Sequence, residues 1–142
     1  MNALTLWLQR KSSSLCCAAN AADQVQFHSV FTCSSTVTLN SKLPYHAKLS
    51  ALLHECGHII IYFRRRRRKH ARIYGCSYVE WWRNTGRLKA GSKRAKLAVL
   101  HEEIGAWDLG EALAKKLRIK VSKRVLDRTR TRALLTYSRD CN

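Results

Sequence analysis

The sequence predicts an α+β fold: a small antiparallel sheet beside a long amphipathic helix, with further helices towards the C-terminus. Three observations lead there. Residues Val25 to Phe31 and Thr36 to Asn40 are rich in β-branched and aromatic side chains, and polarity alternates through Thr36, Val37, Thr38, Leu39 and Asn40, the period of a strand with one covered face. Leu49, Leu52, Leu53, Cys56, Ile59, Ile60 and Phe63 then recur at helical spacing. Two more stretches with that spacing follow, Lys93 to Leu117 and Ser122 towards Tyr137. A chain of 142 residues suits one domain.

Residues 1–22 hold no acidic side chain and carry Arg10 and Lys11 behind the apolar stretch Leu4 to Leu8. A secretory leader places its charges in front, so this segment reads as an N-terminal piece, helical or partly disordered. Residues 23–120 form the main domain. Its two strands pair as a hairpin around Cys33 to Ser35, and Asn40, Ser41 and Pro44 signal the start of the first long helix. Arg64 to Gly91 is basic and aromatic, with Tyr74, Tyr78, Trp81 and Trp82, but shows no period. It reads as loop with a short strand near Arg72 to Val79. The Lys93 to Leu117 helix follows. Residues 121–142 form a basic helix that Ser122 can cap, packed on or extending the domain.

Composition narrows the functional classes. With 46% hydrophobic residues, one Pro and six Gly, the chain supports a packed core and does not resemble a disordered basic tail. No apolar run exceeds five residues, as at Ile59 to Phe63, against the roughly 20 that span a bilayer. No membrane partner is expected. The six cysteines form no C-x-x-C pair, which points to reduced thiols and a cytoplasmic location. Lys and Arg number 27 against 9 Asp and Glu, a formal net charge of +18, and 23 of the bases lie beyond Phe63. Such a field attracts polyanions.

Within the first long helix stands His54-Glu55-Cys56-Gly57-His58, the H-E-x-x-H pattern. Positions i and i+4 share a helix face, so both imidazoles reach one metal ion while Glu55, about 100° around, leans over the open coordination position. The pattern arises by chance in roughly one such sequence in a hundred. Zinc held by two histidines needs a third protein ligand and keeps one position for water. His70 follows an arginine run that repels a dication. Glu102 and Glu103 lie in a helix from which either can fold back, and helical spacing does not choose between them, because both line up with apolar residues.

Together these features resemble a zinc metallopeptidase of the gluzincin type, closest to the ImmA/IrrE family of bacteria, phages and mobile elements. The residues that carry the likeness are Thr36-Val37-Thr38-Leu39-Asn40, Leu52-Leu53-His54-Glu55-Cys56-Gly57-His58 and Glu103-Ile104-Gly105-Ala106, covering about residues 36–117. The resemblance implies a zincin-like fold with the sheet beside a metal-binding helix, one zinc ion per chain, and Glu103 as third ligand with Glu102 in reserve. The chain departs from the family pattern at Trp107, where Asn is common, in its run Arg64 to Arg68, and in showing no helix-turn-helix. SprT-like proteins, another basic zinc-peptidase group, carry a cysteine ribbon that is missing from this sequence.

The mechanism expected is hydrolysis of a peptide bond by metal-activated water, with Glu55 as general base. The strand Thr36 to Asn40, as a sheet edge beside the cleft, would align an extended substrate. Tyr74, Tyr78, His70 and His101 are candidates to stabilise the oxyanion. The expected partners are a protein substrate, with a transcriptional regulator as the candidate, and nucleic acid along the basic surface, where Arg64, Arg65, Arg66, Arg67 and Arg68 are the candidate contacts. The rival function is a basic nucleic-acid-binding protein whose metal site is structural or inactive.

Overall fold

The computed structural model describes residues 3–19, 23–27, 34–67 and 92–139. In chain order these form α1 (Ala3–Arg10), β1 (Ser13–Ala18), β2 (Gln24–Phe27), β3 (Ser35–Asn40), α2 (Tyr45–Arg67), α3 (Lys93–Lys116) and α4 (Lys123–Arg139). The architecture is α+β. The strand expected near Arg72 to Val79 and the far end of the Val25 to Phe31 strand lie outside the described residues.

The sheet is mixed, which corrects the expectation of an antiparallel one. Its order is β1-β3-β2. β2 and β3 pair antiparallel with Val25 opposite Val37, and β1 lies parallel to β3 with Leu15 opposite Val37. β1 escapes a reading by polarity because it has no covered apolar face: Ser13 is its buried residue, and Leu15, Cys16 and Cys17 are exposed. Backbone pairing holds it, helped by hydroxyl contacts to the central strand, Ser13 Oγ to Ser35 Oγ at 2.7 Å and Ser14 Oγ to Thr36 Oγ1 at 2.9 Å. β3 is therefore the central strand, paired on both sides. It offers no free edge to a substrate; among the described residues the outer strands are β1 and β2.

The turn from β3 into α2 is built by polar side chains. Asn40 Oδ1 accepts from the Lys42 amide at 3.0 Å, and the Asn40 amide donates to Asp23 Oδ1 at 2.8 Å. Asx turns of this kind end a strand by giving the backbone a local partner. Pro44 then precedes the helix, and its carbonyl accepts the Lys48 amide. Ser92 caps α3 by accepting from the Ala95 amide at 3.2 Å. At the other end Arg118 adopts a φ of 54° as the Leu117 and Ile119 amides close on the last turn.

One core joins these elements. Leu4 and Leu8 of α1, Val37 and Leu39 of β3, Leu49, Leu53, Cys56 and Ile59 of α2, and Leu113 and Ala114 of α3 are all buried in it. α2 packs most extensively on α3, and α4 lies against both. Two glycines set the spacing of α2 and α3. A Cβ on Gly57 would lie 2.8 Å from Ala106 Cα and closer still to the Ala106 carbonyl, and one on Gly110 would lie 2.7 Å from the Leu53 carbonyl carbon. The backbones touch at both places. No helix among the described residues is long and apolar enough to cross a membrane.

Candidate metal centre

The close crossing of α2 and α3 brings His54, His58 and Glu103 together as a group that could hold a metal ion, their ligand atoms all within 4.8 Å of one another. His54 Nε2 and His58 Nε2 are 3.2 Å apart. Glu103 Oε2 lies 3.1 Å from His54 Nε2, and Oε1 lies 3.5 Å from His58 Nε2. The two imidazoles reach this point from adjacent turns of α2, with ring planes 79° apart. Glu103 comes from a helix that meets α2 at Gly57 and Ala106, one residue before His58 and three after Glu103.

His54 and Glu103 are buried, and His58 is only slightly exposed. Lone pairs converging in such a space repel one another unless a proton or a cation lies between them. In the metal-free protein a proton takes that place. Burial disfavours a charged His58, but the carboxylates of Glu102 and Glu103 close to its ring and the charges of Glu103 and Glu55 outweigh it and raise the His58 pKa to about 10. Burial likewise pushes Glu103 up, and its contacts with both histidines reverse this and hold its pKa near 2. His54 moves down, mainly through burial. Two imidazole nitrogens and a carboxylate are a donor set that suits zinc, so the residues fit the ion that the sequence reading expects. Zinc is not singled out among divalent ions by the geometry.

Glu55 is 4% exposed, with Oε1 4.0 Å from His54 Nε2. Glu102, the reserve ligand, points elsewhere: its Oε2 pairs with Arg65 at 2.8 Å, and its Oε1 lies 3.6 Å from the Nδ1 atom of His58, on the side away from His54. Arg65 therefore turns into the protein, while Arg64 and Arg67 are exposed. Arg66 belongs to α2 by its backbone, and Arg68 lies outside the described residues. Cys56 is fully buried in the core, and burial pushes its thiol pKa well up. Among the described residues Cys16, Cys17 and Cys56 are free thiols.

A cavity of about 430 Å³ opens over the group, between α2 and α3 on one side, α4 on another, and Asp23 and Gln24 at the start of β2. No sequence spacing places two of its residues at the site. Trp107 is buried and stacks on His54, with ring centroids 4.3 Å apart and planes at 22°. The residue that stood out as a departure from the family pattern thus fixes the plane of a candidate ligand. Tyr137 of α4 lines the cavity with Glu103, and its pKa is pushed up to about 12 by burial and then by the Glu103 charge. Nothing in sequence spacing links it to a glutamate on another helix. Of the four oxyanion candidates, His101 is exposed and does not line the cavity, and Tyr74, Tyr78 and His70 lie outside the described residues.

Comparison with protein-family models, with curated proteins and with solved structures finds no match for this chain.

Proposed function

We propose that the protein is a zinc-dependent metallopeptidase with a zincin-like arrangement, acting on a protein substrate in the cytoplasm and related in plan to the ImmA/IrrE family. The observation that carries this reading is the convergence of His54, His58 and Glu103, with the buried carboxylate of Glu55 beside them, on the floor of an open cavity. His54, His58 and Glu103 would hold the ion. A zinc ion so held supplies Lewis acidity, lowering the pKa of water in its open position to about 7 and polarising a substrate carbonyl.

The rest of the chemistry falls to side chains and backbone of this chain. Glu55 takes a proton from the attacking water on its carboxylate and hands it to the leaving amine. Trp107 holds the His54 ring in plane. An extended peptide is best aligned by β2, whose outer edge is unpaired among the described residues and whose first residue, Gln24, lines the cavity. A transcriptional regulator is the candidate substrate, by the family likeness alone.

The test is zinc content together with cleavage of a quenched fluorescent peptide library. Wild type should hold about one zinc per chain, His54→Ala should lose it, and Glu103→Ala should bind it more weakly. Glu55→Gln should keep zinc and lose roughly 10²- to 10⁴-fold in rate, the usual contribution of a general base. Cleavage that survives Glu55→Gln at the wild-type rate would overturn the assignment.

A second reading is favoured by the exposed cations Arg124, Arg128 and Arg132 of α4, which suit phosphate contacts. In a nucleic-acid-binding protein with an inactive site, wild type would cleave no peptide, and Glu55→Gln would bind DNA or RNA as wild type does.

A further inference from the structure

We infer that Glu102 is a positioning residue for His58, and that Arg65 positions Glu102 in turn. This inference rests on reading His54, His58 and Glu103 as a metal site. The His58 ring has two nitrogens with different surroundings. Nε2 faces His54 Nε2 at 3.2 Å and Glu103 Oε1 at 3.5 Å, whereas Nδ1 faces Glu102 Oε1 at 3.6 Å. The second oxygen of Glu102 is held by Arg65 Nη1 at 2.8 Å. All three side chains are largely buried, with exposures of 15%, 13% and 12% for His58, Glu102 and Arg65.

A neutral imidazole carries one N–H and one lone pair, and the partner of the N–H decides which nitrogen is left to bind a metal. A carboxylate beside Nδ1 draws the proton there and leaves the Nε2 lone pair directed at the metal group. Arg65 has a separate task. A mostly buried carboxylate without a cation is costly, and an unrestrained one next to the site competes with Glu103 for the ion. The pairing with Arg65 holds Glu102 in place and neutralises it. Arg65 lies seven residues after His58, two helical turns on along the same face of α2, so the inward turn of one arginine from the run Arg64 to Arg68 follows from helix geometry. Adjacent glutamates thereby take different roles: Glu103 is directed at the ligand atoms, and Glu102 at the back of one ligand.

The experiment is zinc affinity of the full chain, measured by competition with a chromophoric chelator. It is applied to wild type, Glu102→Ala, Glu102→Gln, Arg65→Ala and the double variant Arg65→Ala/Glu102→Ala. Melting of the metal-free forms and the ¹⁵N signals of the His58 ring are recorded in parallel. Glu102→Ala should weaken zinc binding by about 10- to 100-fold, the usual effect of losing such a support. Glu102→Gln, which keeps an acceptor for Nδ1–H, should recover part of that loss. Arg65→Ala should weaken binding when Glu102 is present and add no further loss in its absence. Zinc-loaded wild type should show His58 bound through Nε2 with Nδ1 protonated. A Glu102→Ala protein that melts earlier but binds zinc as tightly as wild type overturns the inference, as does His58 bound through Nδ1 in wild type. Should wild type itself take up no zinc, the metal site fails, and the inference with it.

Discussion

His58 holds a proton that an incoming metal ion must displace, and this makes metal uptake pH-dependent in a definite direction. Its pKa in the metal-free protein is raised to about 10, against the opposing effect of burial, by the carboxylates of Glu102 and Glu103. His54 is shifted down, chiefly by burial, and does not hold a competing proton at neutral pH. One proton should therefore leave as zinc enters. Between pH 7 and 9 the apparent affinity should rise by about tenfold per pH unit, and fall equally as pH drops. Competition titrations at four or five pH values measure it. A flat profile would show that zinc does not replace the His58 proton. Of the residues around this point, the H-E-x-x-H spacing made His54, Glu55 and His58 readable in advance. Trp107 and Tyr137 were not readable, because each reaches the site only through helix packing.

At the level of the elements, the site depends on how closely α2 approaches α3. Gly57 costs about 1 kcal/mol of helix propensity against Ala, so in an isolated helix Gly57→Ala would be stabilising. Here an added Cβ runs into the Ala106 backbone, which cannot rotate aside as a side chain can. The substitution should destabilise the protein by about 1–3 kcal/mol, as overpacking does, and should weaken zinc binding by moving Glu103 away from the histidines. Urea unfolding of the metal-free protein gives the sign. A more stable variant would show that the helices do not cross at Gly57. The strands teach a related lesson. β3 was legible because its buried Val37 and Leu39 alternate with polar residues, whereas β1 lacks that alternation and its partner choice was not. Pairing β1 on the outer side makes β3 central and leaves β2, among the described residues, as the outer strand that reaches the cavity.

For the molecule as a whole, a metal ion at this site ties together helices whose ligands lie 45 residues apart in the chain, His58 and Glu103. An ion bound by the folded protein and not by the unfolded chain shifts the unfolding equilibrium by mass action. At free zinc a hundredfold above Kd the gain is about 2.7 kcal/mol. Thermal melting should move upward as zinc is added and return to the metal-free value with chelator, while His54→Ala should melt at one temperature in both. Equal melting of wild type with and without zinc would mean that no ion joins α2 to α3. The excess of cations lies mostly beyond Phe63, and the exposed arginines of α4 show that part of it faces solvent.

The α+β class, the places of the three long helices and the histidine pair with its glutamate could all be read along the chain, although the first helix runs on to Arg67, into residues read as loop. Each is written in short-range periodicity, and a helix places i and i+4 together wherever it packs. Between Glu102 and Glu103 the helical spacing gave no choice and only the family resemblance favoured Glu103; the inward turn of Arg65, the stacking of Trp107 on His54 and the sheet order could not be read at all. Both glutamates sit in equally apolar helical lines, so local pattern treats them alike. What separates them is the approach of α3 to α2 at Gly57, where contact between two backbones directs one carboxylate at the histidines and leaves its neighbour to an arginine.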